Sequence, residues 1–328
     1  MAGRRRKIDH DWQPLPEQMA LWPEISGNAI NGLDETARRP ATPIYWHDPQ
    51  ATAHGKLQLW FHQRNPNEMV AAARAMRQQV IATPLPEIAT QRVLRDAAAW
   101  STLAKQQALA GDGDIAGIAA MKTEYLFAGA DPAPYQAMPW IVMIGVAMDW
   151  QAMMTAPQTP AAVEVVRQYA RGLKAAKHLA AYIRDQGYAA EAHCGPMAGP
   201  LLLIPPAIEA GLGELGKHGS LINRKLGASF RLACVITDMP LVADQRDAFG
   251  VDDFCTHCHV CQDACPPDAI FEDKQMVRGE RKWYVDFDKC LPFFNEHMGC
   301  GICVAVCPWS RPGVADNLLL KLTRRREP

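Results

Sequence analysis

The stretch FCTHCHVCQDACP, residues 254–266, contains four cysteines in the order C-x2-C-x2-C-x3-C-P. A second group of four follows at Cys290, Cys300, Cys303 and Cys307, and a proline again comes after the last cysteine. Thiolates are soft donors that suit iron, and the short spacing lets one loop bind three corners of an iron–sulfur cube. Because the fourth cysteine can then reach a neighbouring cube, the pattern predicts two [4Fe-4S] clusters.

The interleaved order also predicts which cysteines share a cluster. The two ligand sets are Cys255, Cys258, Cys261 and Cys307 for one cluster, and Cys265, Cys290, Cys300 and Cys303 for the other. A disulfide framework and zinc sites are the alternatives. Zinc needs four ligands rather than eight interleaved ones, and Cys-Pro after each fourth cysteine is typical of bacterial ferredoxins. We therefore expect the chain to transfer electrons one at a time.

Composition bounds the size of the fold and the kind of partner. The chain has 328 residues, of which 48% are hydrophobic, so it can bury a large core and exceeds one average domain. Its formal net charge is -1, and basic runs occur at residues 4–7 and 324–326, which we interpret as solvated termini. Without the clustered positive face that nucleic-acid binding usually needs, we expect no nucleic-acid partner.

No segment of the sequence predicts membrane insertion. The longest apolar run, Met138 to Met148, is too short to cross a bilayer. Residues 8–11, which follow the first basic run, include no apolar stretch that would complete a Sec or Tat signal. We therefore expect a cytoplasmic location, where thiolates stay reduced and available to iron.

The chain divides into four segments. Residues 1–90 are rich in Pro, Asn and Gln, and we expect an irregular arm or cap with one helix at 67–80. A main domain at 91–250 is followed by a ferredoxin-like domain at 251–313 and a C-terminal helix or tail at 314–328.

The main domain shows both helical and strand patterns. The long helix is expected to begin with Thr159 as its N-cap and Pro160 at its first position, and Gly187 should end it. Tyr169 falls on the inward apolar stripe of that helix. Helices alternating with short strands indicate an α/β domain. The expected elements are helices at 92–110, 159–186 and 206–210, and buried strands at 115–118, 140–146 and 231–237.

Residues 211–216 match the dinucleotide-binding pattern G-x-G-x-x-G. That pattern requires a strand before it, whereas residues 206–210 look helical, and we interpret the match as a coincidence. The glycines should instead let the backbone approach another element or a large planar cofactor.

Several separate motifs lie in a fixed order along the chain. They are AGLGELGKHGSLI at 210–222, Gly227 with Arg231, TDMPL at 237–241, the first cysteine group with Phe254, Trp283, the short gap from Cys290 to Cys300, and CPW at 307–309. Their order and spacing resemble those of the catalytic subunits of reductive dehalogenases, over roughly residues 115–312.

The resemblance implies an α+β chain in which a nitroreductase-like α/β domain binds a corrinoid (cobalamin-type) cofactor, followed by a bacterial-ferredoxin-like 2[4Fe-4S] domain. Electrons from a ferredoxin, a flavodoxin or a reductase would pass through the clusters to cobalt, and Co(I) would attack a small organohalide. No Asp-x-His-x-x-Gly corrinoid motif occurs. That absence fits a base-off cofactor without a protein ligand, and it equally fits a chain without corrinoid.

The resemblance also implies roles for individual residues. Tyr169 matches the tyrosine that donates the proton, and Arg231 matches the cationic residue that supports it. A neighbouring guanidinium favours phenolate and so eases proton release from a phenol. On periodicity alone Tyr169 would be a core residue and Arg231 an ordinary strand charge. We expect His193, Gly213 and Thr237 to contact the cofactor, with His193 either a substrate contact or a structural residue.

Two other functions stay open at this point. Epoxyqueuosine reductase also joins a corrinoid to two clusters and acts on tRNA, but that family has a catalytic carboxylate in an Asp-x-Gly-Pro segment. This chain has Met-Ala-Gly-Pro at 197–200 instead, and the missing acid and missing basic face argue against tRNA. The third hypothesis is a non-catalytic electron-transfer subunit. Both enzymes would bind a corrinoid and this subunit would not, so bound corrinoid would distinguish them from it.

Overall fold

The computed structural model describes residues 12–64 and 67–326, with side chains as far as Leu322. The basic run at 4–7 lies outside the described residues, as do residues 8–11 and the side chains of the run at 324–326. Within the described ranges, no helix is both long enough and apolar enough to span a bilayer.

The N-terminal arm contains more regular structure than its composition predicts. The predicted helix at 67–80 is confirmed as a helix at 68–82, and the side chain of Asn67 caps it by accepting hydrogen bonds from the backbone amides of Met69 and Val70. The helices of the arm are α1 (Pro16–Met19), α2 (Gly27–Asn31), α3 (Gly55–Arg64) and α4 (Glu68–Ala82).

The sequence does not predict α3, because the helix is short and its apolar Leu59 lies on the exposed side, so that apolar and polar residues are poorly separated. Leu57 is nonetheless fully buried and packs with Leu291 and Phe287 of the C-terminal part of the chain. Contacts with distant residues therefore stabilise this helix, as is usual for short helices.

The main domain is organised around one antiparallel sheet. Its elements in chain order are α5 (Ala97–Ala110), β1 (Ile115–Ala120), α6 (Ala133–Gln136), β2 (Trp140–Ala147), α7 (Trp150–Met153), α8 (Thr159–Asp185), β3 (Ala190–Cys194), α9 (Ile204–Glu209), β4 (Glu214–Leu215), β5 (Leu221–Ile222) and β6 (Phe230–Thr237). The sheet has the order β1-β2-β6-β3, and β4 pairs with β5 in a separate hairpin.

The predicted strands and the long helix are confirmed in β1, β2, β6 and α8. Two helix starts differ from the prediction. Gln158 occupies the N-cap of α8, so Thr159 is its first helical residue and Pro160 its second. α5 begins at Ala97 rather than near residue 92, because the carboxylate of Asp96 accepts hydrogen bonds from the first free amides of the helix.

Each face of the sheet is covered by different helices. Side chains alternate along a strand, so Ala233 and Val235 of β6 lie in the core with Leu179 of α8. Cys234 of the same strand lies on the opposite face, with Ala207 of α9. The sheet is therefore buried on both sides, which explains the long apolar runs of its central strands.

The glycine-rich segment at 211–216 follows helix α9 and leads into the β4–β5 hairpin. The strand that dinucleotide binding requires before it is therefore replaced by a helix, as predicted. Gly213 has φ +147°, and a Cβ atom there would lie 2.1 Å from the carbonyl oxygen of Ile222. Glycine permits this close backbone approach.

The C-terminal part of the chain packs around a second core that includes Trp283, Phe293 and Trp309. The expected C-terminal helix is present as its last element. The helices and strands of this part are α10 (Val251–His257), α11 (Val260–Asp263), β7 (Gln275–Val277), β8 (Glu280–Lys282), α12 (Phe287–Glu296), α13 (Ile302–Val306) and α14 (Val314–Arg326).

Hydrogen bonds join the N-terminal arm to α12. Glu296 accepts hydrogen bonds from the backbone amide of Leu15 at 2.8 Å and from the indole nitrogen of Trp12 at 3.1 Å. Asp288, in the first turn of α12, accepts one from the backbone amide of Gly27 at 2.7 Å. Hydrogen bonds to carboxylates are stronger than those between neutral groups, so the arm is fixed to this helix.

Candidate active site

A cavity of about 410 Å³ lies where the arm, α8, the start of β6 and the segment before α13 meet. Its volume is within the range of small-molecule sites. Aromatic rings of Trp46, Phe61 and Phe294 form part of its wall, and aliphatic side chains such as Val165 and Val166 of α8 form another part. The cavity therefore offers an apolar space where these four parts of the chain meet.

Tyr169 and Arg231 both line this cavity. Arg231 is two residues before Ala233 in β6, so both side chains lie on the same face of the sheet. This is the face that α8 covers. Its guanidinium carbon is 5.2 Å from the centroid of the Tyr169 ring. The structure thus brings together the two residues to which the family resemblance assigned proton transfer, in a cation–π arrangement.

Two further arginines reach the cavity from α4. The guanidinium carbon of Arg77 is 5.8 Å from the Tyr169 ring centroid, and its Nη2 donates a hydrogen bond to the carbonyl of Gly195 at 3.3 Å. Arg74 lies over the ring of Phe61 at 5.6 Å. Sequence reasoning missed both residues, although their i, i+3 spacing on the predicted helix at 67–80 was a signal that they share a face.

Electrostatic effects in the cavity follow from burial and from these arginines. Burial, and then the charge of Arg74, lower the pKa of His62, which also lines the cavity. Burial raises the pKa of Cys194 to about 12, although the charges of Arg77 and Arg231 act in the opposite direction. Cys194 is therefore a neutral thiol, and it donates a hydrogen bond to the carbonyl of Tyr169 at 3.2 Å.

The structure places the other three predicted cofactor contacts away from this cavity. His193 lies on the opposite face of the sheet from Tyr169, with its Nε2 3.6 Å from a carboxylate oxygen of Glu191. Gly213 packs against the backbone of β5, as described above. Thr237 donates a hydrogen bond to the carbonyl of Ala189 at 2.6 Å. A role for these residues in cofactor binding stays a prediction.

None of the ten cysteines forms a disulfide in the structure. Burial raises the pKa of Cys307, and repulsion from Cys255, Cys261 and Cys258 raises it further. These four residues are the first predicted ligand set, so the fold brings them close together. We call them the lysine-side set, because Lys217 lies beside Cys255.

The second predicted set comes together in the same way. Burial raises the pKa of Cys290 to about 12, and repulsion from Cys300 and Cys265 contributes to the rise. Burial also raises the pKa of Cys303, with further repulsion from Cys300, Cys290, Cys261 and Cys265. Because Cys300 also lines the cavity, we call Cys265, Cys290, Cys300 and Cys303 the cavity-side set.

In the described residues, no three His, Cys, Asp or Glu side chains are arranged to hold a single metal ion. Each cysteine of a [4Fe-4S] cube binds a different iron atom, so the four sulfurs need not surround one point. The donor chemistry and the grouping of the thiols fit such cubes, because four soft ligands lie together in each set.

A buried lysine lies beside the lysine-side set. Lys217 is fully buried, its Nζ has no hydrogen-bond partner in the described residues, and it lies 5.1 Å from the ring centroid of Trp283. Burial raises the pKa of Cys255 to about 11, while the backbone and the charge of Lys217 act to lower it. A positive charge therefore adjoins one set of thiols.

Comparisons with known proteins agree with this arrangement. The family model for a 4Fe-4S dicluster domain matches residues 254–310. The tetrachloroethene reductive dehalogenase of Desulfitobacterium hafniense is 36% identical over 176 residues, which cover 50% of this chain and 31% of that protein. The chain is a homologue of the reductive dehalogenases. It spans about a third of the length of such relatives.

A solved reductive dehalogenase structure, described in connection with a mechanism for B12-dependent dehalogenation, has a similar fold. Its TM-score is 0.73 at 22% identity, over 92% of this chain and 46% of that one. The chain therefore has a reductive dehalogenase-like, mixed α/β fold with a dicluster domain. Epoxyqueuosine reductase is also a relative: that of Leadbetterella byssophila is 37% identical over 121 residues, covering 32% of this chain and 35% of that protein.

Proposed function

We propose that the chain is an oxidoreductase, a corrinoid- and iron–sulfur-dependent reductive dehalogenase that replaces a halogen of a small organohalide by hydrogen. One observation carries the proposal: a tyrosine flanked by two guanidinium groups shares an apolar cavity with a cysteine of the dicluster domain. An electron-transfer subunit without catalysis would not need this cavity.

Two [4Fe-4S] clusters, one on each cysteine set, form part of the proposal. The cavity-side cluster would then adjoin the substrate, because Cys300 lines the cavity, and the lysine-side cluster would receive electrons first. A ferredoxin, a flavodoxin or a reductase as donor, and a cytoplasmic location, belong to the same proposal. We also propose that the main domain is nitroreductase-like.

The cavity also fits part of a base-off corrinoid. Its aromatic and aliphatic walls, from residues such as Phe294, Met153 and Met298, suit the face of a flat macrocycle. A corrinoid is larger than a drug-sized ligand, so it would have to extend through the open side of the cavity. When bound, the cofactor would supply a strongly reducing metal centre that can cleave a carbon–halogen bond.

The residues of the chain would supply the proton. Two electrons and one proton convert the organohalide to its hydrogenated product and a halide ion. Tyr169 would donate that proton from its phenolic oxygen, and the charges of Arg231 and Arg77 would stabilise the phenolate left behind. Solvent would then reprotonate Tyr169.

The segment at 197–200 favours dehalogenation over the reaction of epoxyqueuosine reductase. Met197, at the position where that family has its carboxylate, lines the cavity with an apolar side chain. No aspartate or glutamate of the described residues lines the cavity, so an acid cannot come from a neighbouring position within them.

The test compares two tyrosines of α8. In protein reconstituted anaerobically with iron, sulfide and cobalamin, Tyr169→Phe should keep its cofactors but release halide more slowly by on the order of a hundredfold. Tyr182→Phe is the matched control, since Tyr182 is on the same helix and does not line the cavity. Full turnover by Tyr169→Phe would show that the proton comes from another group.

A further inference from the structure

A second cavity lies where the main domain meets the segment that follows Cys307. Its volume is about 230 Å³, and its walls come from α7, the loop before β6 and the start of α14. We call it the indole pocket, because Trp150 and Trp309 line it. Within the described residues it shares no lining residue with the candidate active site. It is therefore a separate space with its own chemistry.

Three polar side chains of the indole pocket have no hydrogen-bond partner. The indole nitrogens of Trp150 and Trp309 and the hydroxyl of Ser229 are shielded from water and unpaired in the part of the chain that the structure describes. Trp309 is only 1% exposed and Ser229 only 4%. Most buried polar groups in folded proteins are hydrogen-bonded. Three unpaired groups around one small cavity therefore indicate a missing partner.

The chemistry of these groups defines that partner as a hydrogen-bond acceptor. An indole N–H can donate a hydrogen bond but cannot accept one, and a serine hydroxyl can donate as well. The three side chains come from α7, the loop before β6 and the segment after Cys307, so their donors belong to three separate parts of the fold. A tetrahedral oxyanion presents oxygens in four directions, whereas the two oxygens of a carboxylate lie in one plane.

Charged side chains of the indole pocket favour an anion. Lys225 and Arg311 line it, are exposed, and form no ion pair within the described ranges. Asp316 is the one acidic lining residue among the residues that the structure describes. Two cations against one carboxylate leave the pocket with net positive charge, which attracts anions. Because exposed charges contribute little to affinity, the buried donors should provide most of the binding.

We propose that the indole pocket binds a small tetrahedral oxyanion, inorganic phosphate or the phosphate group of a monoester. The volume of the pocket, about 230 Å³, supports a ligand of this size, because sites for drug-sized molecules begin at roughly 300 Å³. The phosphodiester of cobalamin has similar chemistry, and the experiment separates it from free phosphate. The proposal does not depend on the reaction proposed for the active site.

The main experiment is calorimetric titration of inorganic phosphate into the holoenzyme, reconstituted with iron, sulfide and cobalamin in a phosphate-free buffer. One phosphate should bind per chain, and acetate at the same ionic strength should bind more weakly. Trp309→Phe keeps an aromatic ring but removes the N–H donor. It should raise the Kd for phosphate by roughly ten- to a hundredfold, the scale for losing a hydrogen bond to a charged group.

Further variants keep the result interpretable. Trp309 is almost fully buried, so Ser229→Ala and Trp150→Phe test the same pocket if Trp309→Phe does not fold, and each should also raise the Kd by roughly tenfold or more. Trp100→Phe is the matched control. The indole nitrogen of Trp100 is likewise buried and unpaired in the described residues, but Trp100 lines neither cavity, so the Kd should not change.

The outcomes separate the oxyanion site from its alternatives. No detectable phosphate binding, unchanged affinity in the pocket variants, or an equal loss in Trp100→Phe would overturn the proposal. Binding of phosphate to cobalamin-free protein but not to the cobalamin-loaded form would also overturn it, and would assign the pocket to the phosphodiester of the cofactor. None of these measurements uses halide release, so failure of the proposed reaction would leave the test valid.

Discussion

The two cysteine sets have similar spacing but different surroundings. The lysine-side set adjoins the buried ammonium group of Lys217, which opposes the burial-driven rise in the pKa of Cys255. No lysine or arginine is among the main influences on the cavity-side thiols; beyond burial, Asp268 raises the pKa of Cys265 and Asp286 that of Cys290. Positive charge stabilises a reduced cluster, so the cluster beside the cavity should be the stronger reductant.

Loss of a cysteine from either set should have the largest effect. Both Cys258→Ser and Cys303→Ser should lower the iron content from about eight to about four ions per chain, because each cluster has four irons. Only Cys258→Ser should still release halide when a small artificial reductant replaces the natural donor, since its remaining cluster adjoins the cavity. Iron analysis and halide assays check both expectations.

Cys234→Ser is the control for these two variants, because Cys234 is fully buried in the sheet and belongs to neither set. It should retain about eight irons per chain. Equal halide release by Cys258→Ser and Cys303→Ser would contradict the assignment of one set to the cavity.

Lys217→Met should have an intermediate effect. Removing the ammonium group should shift the midpoint potential of the lysine-side cluster to more negative values, on the order of 50 mV, a little less than a tenfold change in a one-electron equilibrium. A potentiometric titration followed by spin resonance measures this shift. The potential of the cavity-side cluster should remain nearly constant.

Lys274→Met is the matched control for Lys217→Met. Lys274 also lies over the Trp283 ring, at 5.6 Å, but it is partly exposed and pairs with Asp252 at 2.7 Å. Solvent and the paired carboxylate screen its charge, so its removal should change the potential less. A larger shift for Lys274→Met than for Lys217→Met would remove the electrostatic distinction between the two sets.

The smallest expected effect concerns His62, the histidine among the cavity-lining residues. Its ring makes edge contacts with Trp46 and Phe61, at centroid distances of 6.1 and 5.2 Å. We expect base-off cobalamin without a histidine ligand, so His62→Phe should leave the Co(II) spin-resonance spectrum unchanged. Nitrogen superhyperfine splitting that disappears in His62→Phe would show that this side chain binds cobalt.

Sequence periodicity and spacing predicted the parts of the molecule that depend on local rules. Strands β1, β2 and β6, the long helix α8 and the grouping of cysteines were accessible in this way, because apolar runs and ligand spacing are local properties. Strand β3 and the β4–β5 hairpin were not predicted. The meeting of Tyr169 with Arg231 required the family resemblance, since the two residues belong to different elements.

The cavity wall supplied by the arm could not be predicted in the same manner. Trp46 and Phe61 reach the cavity only because the arm folds back on α12, and no local pattern encodes that contact. For His193 the sequence left a substrate contact and a structural role open. The register of β3 with β6, which no local pattern encodes, places it on the opposite face of the sheet from Tyr169.

The hydrogen bonds between the arm and α12 have a consequence for how the folded chain is assembled. Cys290 and Phe294 lie on the same helix, so the segment that would hold one cluster also forms part of the cavity wall and holds the arm through Glu296. We therefore expect cluster binding and the stability of the cavity wall to be coupled. Loss of the cavity-side cluster should loosen both the wall at Phe294 and the contact between the arm and α12.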